Sequence, residues 1–440
     1  MAEARPASGV VAKLWALGRA HFASLASIGV RGMSVLAGFA IAFLIGGWLG
    51  PEALGTYALV TQTAMFLSIV AVGGLDLSIV RFFPKVPGEP AYARKSVLRM
   101  FGACLAICLV LVGGVMLFGG AYFSLFEEVE ADAFLLALLA GIFVSRAFTR
   151  ATSAFLRSQR HYVFSQFVEV LLIPLPVLAL IVFGVTETVR EILLATALAG
   201  AVAIAIGLVS SFAKTTGKTE GKTVSLSPLY IAAMPLWGVA ILKNFGDWYG
   251  LSVISSQLSV AEAGIYRLAW QIATSIAIIT IGIFGVFSPQ IGTAVAQGQT
   301  ETVAKLARTA TRLSIALTIP AILFLAGASG LILKFVGPEF IAAQVPLIIL
   351  LGGQAILVVA GPAGIVLALM GRQKVNLCIS LAAVCALLVA VPMGAAYFGL
   401  EGAAAAVAVI TAGQNVAAYL AVRLLLGIDI WKGRQLPRDG

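Results

Sequence analysis

The chain has 440 residues, 60% hydrophobic and 11% charged, with a mean hydropathy of +1.04. No water-soluble protein of this size covers so much apolar surface, and only lipid solvates it. The formal net charge of +10 does not call for nucleic acid, because the basic residues cluster in alternate loops, as orientation in a membrane requires.

Residues 1–27 carry Arg5, Lys13 and Arg19 but lack the apolar core and cleavage site of a signal peptide, so none is expected. Gly9 to Ser27 reads as an amphipathic segment on the inner surface or as a mobile tail. Apolar runs of about 20 residues follow, too long and too uniform for barrel strands. They fall near 28–48, 55–79, 96–119, 133–156, 162–184 and 191–213. The polar stretch KTTGKTEGKTVSLSP (214–228) has the Gly, Ser and Thr content of a flexible linker. A second set follows near 229–255, 262–288, 309–333, 341–369, 375–398 and 402–427. The expectation is an all-α polytopic membrane protein of about twelve helices. Its parts would be an N-terminal segment (1–27), an N-lobe (28–213), the linker (214–228), a C-lobe (229–428) and a tail (429–440).

The loops between these runs alternate in charge. One set holds Arg81, Lys85, Arg94, Lys95 and Arg99, then Arg157 and Arg160, Lys214, Lys218 and Lys222, Lys305, Arg308 and Arg312, Arg372 and Lys374, and in the tail Lys432, Arg434 and Arg438. The other holds Glu52, Glu127, Glu128, Glu130, Asp132, Glu187, Glu191, Glu262, Glu339 and Glu401, with Arg190 and Lys334 as exceptions. The positive-inside rule puts both termini in the cytoplasm of a multi-pass inner-membrane protein.

One signature occurs twice. LGPEALGTYALVTQ (Leu49 to Gln62) and LSVAEAGIYRLAWQ (Leu258 to Gln271) share Gly55, Tyr57, Leu59 and Gln62 with Gly264, Tyr266, Leu268 and Gln271, at a constant offset of 209 residues. The turns before the fifth and eleventh runs also correspond (SQRH at Ser158, GRQK at Gly371). So do the run ends Phe183-Gly184 and Phe398-Gly399, now 215 residues apart. Six spans per half make the two halves parallel repeats, an organisation typical of transporters.

Prolines interrupt several runs: Pro174, Pro176, Pro235, Pro320, Pro346, Pro362 and Pro392. Each removes a helical hydrogen bond and can kink its helix. Cys104, Cys108, Cys378 and Cys385 lie in apolar runs, with spacings that suit neither zinc nor a disulfide framework, and read as packing residues. With only His21 and His161 besides, no metal and no cofactor are expected. No phosphate-binding loop or nucleophile elbow is present, which argues against ATP as direct driver and against an enzyme.

Charges inside the apolar runs are costly, about 2.5–3.5 kcal/mol each at the bilayer centre, and so mark function. Arg146 and Arg150 share one helix face, and an anion between them would relieve their repulsion. Lys243 and Asp247, also four apart, form either a switchable pair or a permanent one. Arg267 lies in the second signature where the first has Ala58, so the halves differ in charge at one equivalent position. Glu169 is expected to partner an arginine of the preceding run, Arg146 or Arg150. Gln62 and Gln271 would contact sugar hydroxyls or bond across helices. The surplus is cationic, which points to an anionic substrate and, given arginine, to phosphate.

The run GGWLGPEALGTYALVTQTAMFLSIVAVGGLDLSIVRFFP (Gly46 to Pro84) resembles the first hairpin of Wzx-type O-antigen flippases and related polysaccharide exporters. Asp247, GIYRLAWQ, FSPQIG, FVGPEF and GPAGIVLALMGRQK are similar to the rest of that family's pattern. The resemblance implies the fold of the multidrug/oligosaccharidyl-lipid/polysaccharide (MOP) exporters, two six-helix lobes around a V-shaped cavity. It implies translocation of an undecaprenyl-pyrophosphate-linked oligosaccharide for lipopolysaccharide, capsule or exopolysaccharide, with a polymerase and glycosyltransferases as partners. By analogy with lipid II flippases, Arg146, Lys243 and Arg267 would bind the pyrophosphate. Two other readings compete. A cation-coupled multidrug exporter would need a carboxylate-rich cavity. A membrane glycosyltransferase or polymerase would need a sizeable external loop, and no external loop exceeds about fifteen residues.

Overall fold

The computed structural model describes residues 8–86, 91–216 and 221–435. The N-half contains α1 (Ser8–Val72), α2 (Leu75–Phe82), α3 (Arg94–Phe123) and α4 (Ala133–Ser158). Next come α5 (Tyr162–Gln166), a π-helical turn (Phe167–Leu171), α6 (Pro174–Val182) and α7 (Val189–Phe212). The C-half contains α8 (Leu226–Gln257), α9 (Val260–Ser275), α10 (Ala277–Ala296) and α11 (Thr300–Val336). A 3₁₀ turn (Pro338–Ala343), α12 (Gln344–Ala360), α13 (Ala363–Leu369) and α14 (Gln373–Leu426) complete it. A small antiparallel hairpin, β1 (Ile428–Asp429) with β2 (Arg434–Gln435), closes the described chain.

This is an all-α polytopic membrane fold. Among the described residues eight helices are long and apolar enough to cross a membrane, and the α5–α6 pair, bent by 48°, makes a ninth. Two of the eight are each two spans joined at a glycine: Gly50 (φ 86°) breaks α1 and Gly399 (φ 59°) breaks α14. With the 32-residue α8, the spans come to the twelve expected. Both breaks need a left-handed backbone, which glycine adopts without a Cβ penalty. Pro51 then starts the new helix, where its missing N–H costs nothing. Large side chains face outward: Leu117, Phe183, Leu331, Phe335 and Leu424 are each more than three-quarters exposed. Such a belt is tolerable only in hydrocarbon.

The repeat has a structural counterpart. Phe183-Gly184 and Phe398-Gly399 both turn on a glycine of positive φ, and the other pair of turns also has a residue of positive φ, Arg160 (67°) in one and Gly371 (75°) in the other. The two signatures meet each other. A methyl group on Gly55 would overlap the Val260 carbonyl, and one on Gly264 would overlap the Pro51 carbonyl. Val260 is the counterpart of Pro51 at the same 209-residue offset. The contact is therefore reciprocal, like that across a two-fold axis. Its two glycines let the helix backbones touch, the small-residue packing that membranes favour.

The acidic loops gather at this end of the molecule. Glu128 accepts a hydrogen bond from Val260 N (2.6 Å). Arg190, an exception to the charge pattern, is neutralised by Asp132 (2.8 Å) and Glu130 (3.2 Å). Asp132 also caps α4 through Leu135 N (2.8 Å). That N–H first, and the Arg190 guanidinium after it, hold the Asp132 carboxyl below the usual range. Thr188 and Glu191 form a capping box at the start of α7.

Several expectations are corrected. The linker is flexible by composition, yet its described ends are fastened. Ala93 N bonds Lys222 O (2.8 Å), Arg94 N bonds Thr216 O (3.0 Å), and Val224 N bonds Ser96 Oγ (3.1 Å). Lys218 lies outside the described residues, as do residues 1–7. Over Gly9 to Ser27 the backbone of α1 is helical, but nearly all the side chains lie outside the described ones. Cys104 and Cys108 are buried packing residues, whereas Cys378 and Cys385 face outward. Of the prolines, Pro174 starts α6 after the bend and Pro362 separates α12 from α13, while Pro320 and Pro392 cause no break in the helices that hold them.

Candidate functional site

The interior charges divide into paired and unpaired groups. Arg150, on α4, directs both Nε and Nη2 at Oδ2 of Asp76 on α2, each at 3.2 Å. Glu169, on the π turn, does partner an arginine of the preceding span, but that arginine is Arg157 (3.3 Å), not Arg146 or Arg150. The reason is geometric. The π turn adds a residue to the helical turn and re-aims Glu169, and Ser153 Oγ bonds the same carboxylate oxygen at 2.7 Å. Arg31 bonds Gln166 (2.7 Å) beside it.

Arg146, Lys243 and Arg267 form no ion pair among the described residues. Arg146 loses its expected companion, because Arg150 is held by Asp76. Tyr57, from the first signature, lies in the electrostatic reach of both Arg146 and Arg267. Arg267 donates to Gln62 Oε1 across the two halves (3.4 Å) and lies near Asp247 and Tyr266. Tyr57 thus stands between a cation of each half, while Arg146 itself is not among the residues that line the cavity of Lys243 and Arg267. Ala58, the counterpart of Arg267, is fully buried in the N-half core. The charge difference between the copies therefore reflects a side chain turned to a site rather than to packing.

Lys243, Asp247, Arg267 and Gln271 line one cavity of about 510 Å³ inside the C-half, walled by α8, α9, α10, α12 and α14. Lys243 and Asp247 stand four apart on α8 and are not bonded to each other. The remaining wall is polar in a way the sequence reading missed: Gln354, Ser380, Thr411, Gln414 and Asn415 all border it. They are scattered through apolar runs apart from the adjacent Gln414 and Asn415, and the packing of α12 against α14 brings them together. Among the described residues no group of three metal-ligating side chains exists.

An aromatic lock lies beside the site. Trp248 on α8 stacks on Phe66 of α1 (centroids 5.2 Å, 13° between planes) and on Tyr122 of α3 (5.7 Å, 26°). Its indole N–H donates to Thr63 Oγ1 (3.1 Å), and Tyr122 OH lies 2.8 Å from Ser252 Oγ. Arg31 and Ser34 of α1, Glu169, and Thr274 to Gly282 of α9 and α10 line a separate groove of about 290 Å³. The arrangement sets two cations and a row of uncharged polar groups around one C-half cavity, with a third cation, Arg146, in the N-half.

No family model matches the chain, and no curated protein sequence is similar to it. Solved structures are similar in fold. A lipid II flippase, MurJ, in an inward closed conformation aligns with a TM-score of 0.72 and 12% identity, over 91% of this chain and 87% of that one. An inward-facing multidrug resistance MATE family transporter of the MOP superfamily aligns at 0.68 and 16%, over 92% and 98%. A MOP superfamily transporter from Pyrococcus furiosus, described as having a binding pocket of reverse polarity, aligns at 0.61 and 16%, over 92% and 94%. At these identities the likeness establishes the fold, which is that of MOP-superfamily transporters.

Proposed function

We propose that this chain is a flippase that moves an undecaprenyl-pyrophosphate-linked oligosaccharide across the bacterial inner membrane by alternating access. One observation carries the reading. Arg150 and Arg157 form close ion pairs, whereas Arg146, Lys243 and Arg267 form none among the described residues, and only the single carboxylate of Asp247 lies near Lys243 and Arg267. An unpaired interior cation costs several kcal/mol unless water or an anion accompanies it. Three of them, contributed by both halves, suit a pyrophosphate, whose oxygens match the guanidinium fork.

The lobes 28–213 and 229–428 would rock about the site with the acidic end outward and both termini cytoplasmic. The groove between α1 and α10 would leave the polyprenyl tail in lipid. Export moves negative charge outward, and at a potential of 100 mV, inside negative, two phosphate charges gain roughly 4–5 kcal/mol without a coupled ion. A cation-coupled multidrug exporter shares the fold, but its cationic drugs would meet a surplus of positive charge here. A polymerase or glycosyltransferase is less consistent with short external turns.

The test is a deletion strain. Lipid-linked oligosaccharide should accumulate in the inner leaflet and surface polysaccharide should fall. Wild type should rescue both, while Arg146→Ala and Lys243→Ala, expressed at equal level, should not. Normal surface glycan with raised drug sensitivity would overturn the flippase reading.

A further inference from the structure

The C-half cavity wall carries four amides, Gln354 buried and Gln271, Gln414 and Asn415 half-buried, whose uncharged groups are not what a phosphate calls for. Gln354 is 8% exposed, makes no hydrogen bond among the described residues, and borders the cavity. Its amide therefore opens onto the cavity with its donors and acceptor unused. Gln271, facing it from α9, is likewise unbonded. Gln414 donates to Ser380 Oγ (3.1 Å) and Asn415 to Thr411 O (2.8 Å), which uses one amide hydrogen of each and leaves both side-chain carbonyls free. The wall therefore offers donors and acceptors interleaved, with no net charge.

That chemistry selects among ligands. An inorganic anion has no use for free carbonyl acceptors. An apolar drug would leave the amides unsatisfied. A sugar ring presents hydroxyl or acetamido groups, each both donor and acceptor, around an apolar face. Trp270 borders the same cavity, held parallel to Tyr266 (6.3 Å, 14°), and supplies a flat surface for that face. The volume of about 510 Å³ lies in the range of small-molecule sites, about 300–1,000 Å³. It admits one or two sugar rings rather than a long glycan.

The geometry points to a carbohydrate subsite in the C-half cavity, in which Gln271, Gln354, Gln414 and Asn415 bond the hydroxyl or acetamido groups of an uncharged sugar whose phosphate is held by Lys243 and Arg267. This rests on the flippase reading and adds where, and by which residues, the sugar is recognised.

The experiment uses the full-length protein in lipid nanodiscs and three probes: farnesyl pyrophosphate and its N-acetylglucosaminyl and galactosyl esters. Wild type should bind at least one glycosyl ester about tenfold more tightly than the bare pyrophosphate, the worth of one or two net hydrogen bonds. Gln354→Leu and Asn415→Leu should each remove most of that advantage and leave affinity for bare farnesyl pyrophosphate unchanged, which also reports an intact fold. Gln354→Asn should restore part of it. No glycosyl advantage in wild type, or an advantage untouched by the variants, would sink the subsite and leave the flippase reading standing. Equal losses for bare and glycosylated probes would also reject it. Failure of wild type to bind any of the three would defeat both readings at once.

Discussion

Arg150 and Arg146 stand one helical turn apart, yet different outcomes are expected from removing them. Asp76→Asn leaves Arg150 in the interior without its carboxylate and should lower stability by about 1–3 kcal/mol. The double change Asp76→Asn with Arg150→Met should recover most of that loss, read as thermal unfolding in detergent. Arg146 has no such partner, so Arg146→Met should leave unfolding unchanged or raise its midpoint while abolishing export. If Arg146→Met unfolds the protein as readily as Asp76→Asn does, Arg146 is structural and the anion site loses a member. Interior charge was legible in the sequence as a set of candidates. Their division into paired and free was not, because the partners lie on other elements: Asp76 is 74 residues from Arg150. The roles of Gln354 and of Gln414-Asn415 are hidden for the same reason, since an amide in an apolar run is usually a bond between helices.

At the scale of elements, the contact between α1 and α9 is the tightest joint between the halves. Gly55→Ala and Gly264→Ala each place a methyl against a backbone carbonyl that has nowhere to go. Both should bias the protein toward separation of the acidic end. Spin labels at the exposed positions Glu187 and Glu401, read by double electron–electron resonance, should gain a longer distance component. An unchanged distribution with normal transport would mean that these glycines are mere packing. Trp248→Leu removes the stack on Phe66 and the bond to Thr63, interactions worth about 1–3 kcal/mol together. It should shift the same distribution in the same direction. The repeat itself was readable because its glycine, tyrosine and glutamine keep one spacing. Its meaning, a reciprocal contact at Pro51 and Val260, required the helices to be brought together.

For the whole molecule, the proposed energy source is the membrane potential acting on the substrate's own charge. In proteoliposomes, collapsing an inside-negative potential with valinomycin and equal potassium should slow net export of a pyrophosphate-linked glycan by at least tenfold, given roughly 2.3 kcal/mol per charge per 100 mV. Rates insensitive to potential but dependent on a sodium or proton gradient would replace that account with ion coupling. The charged loops contribute in a different way. The acidic end is knit by Arg190 with Asp132 and Glu130, and by Glu128 with Val260 N. These exposed pairs add little stability each, and high salt should leave unfolding nearly unchanged.

Lipid as solvent, helices as the spanning element, two halves of six and a surplus of interior cations all follow from the order of residues. Each depends on composition or short-range spacing, quantities that a chain carries before it folds. The tight turns at Gly50 and Gly399 were half visible, as glycines between apolar runs. What only the tertiary structure decided was which charges neutralise one another, which glycines touch backbone to backbone, and which scattered amides share a wall. Those depend on side chains from helices far apart in sequence coming within a few ångströms, and in a membrane that distance is set by packing between helices, which no single span encodes.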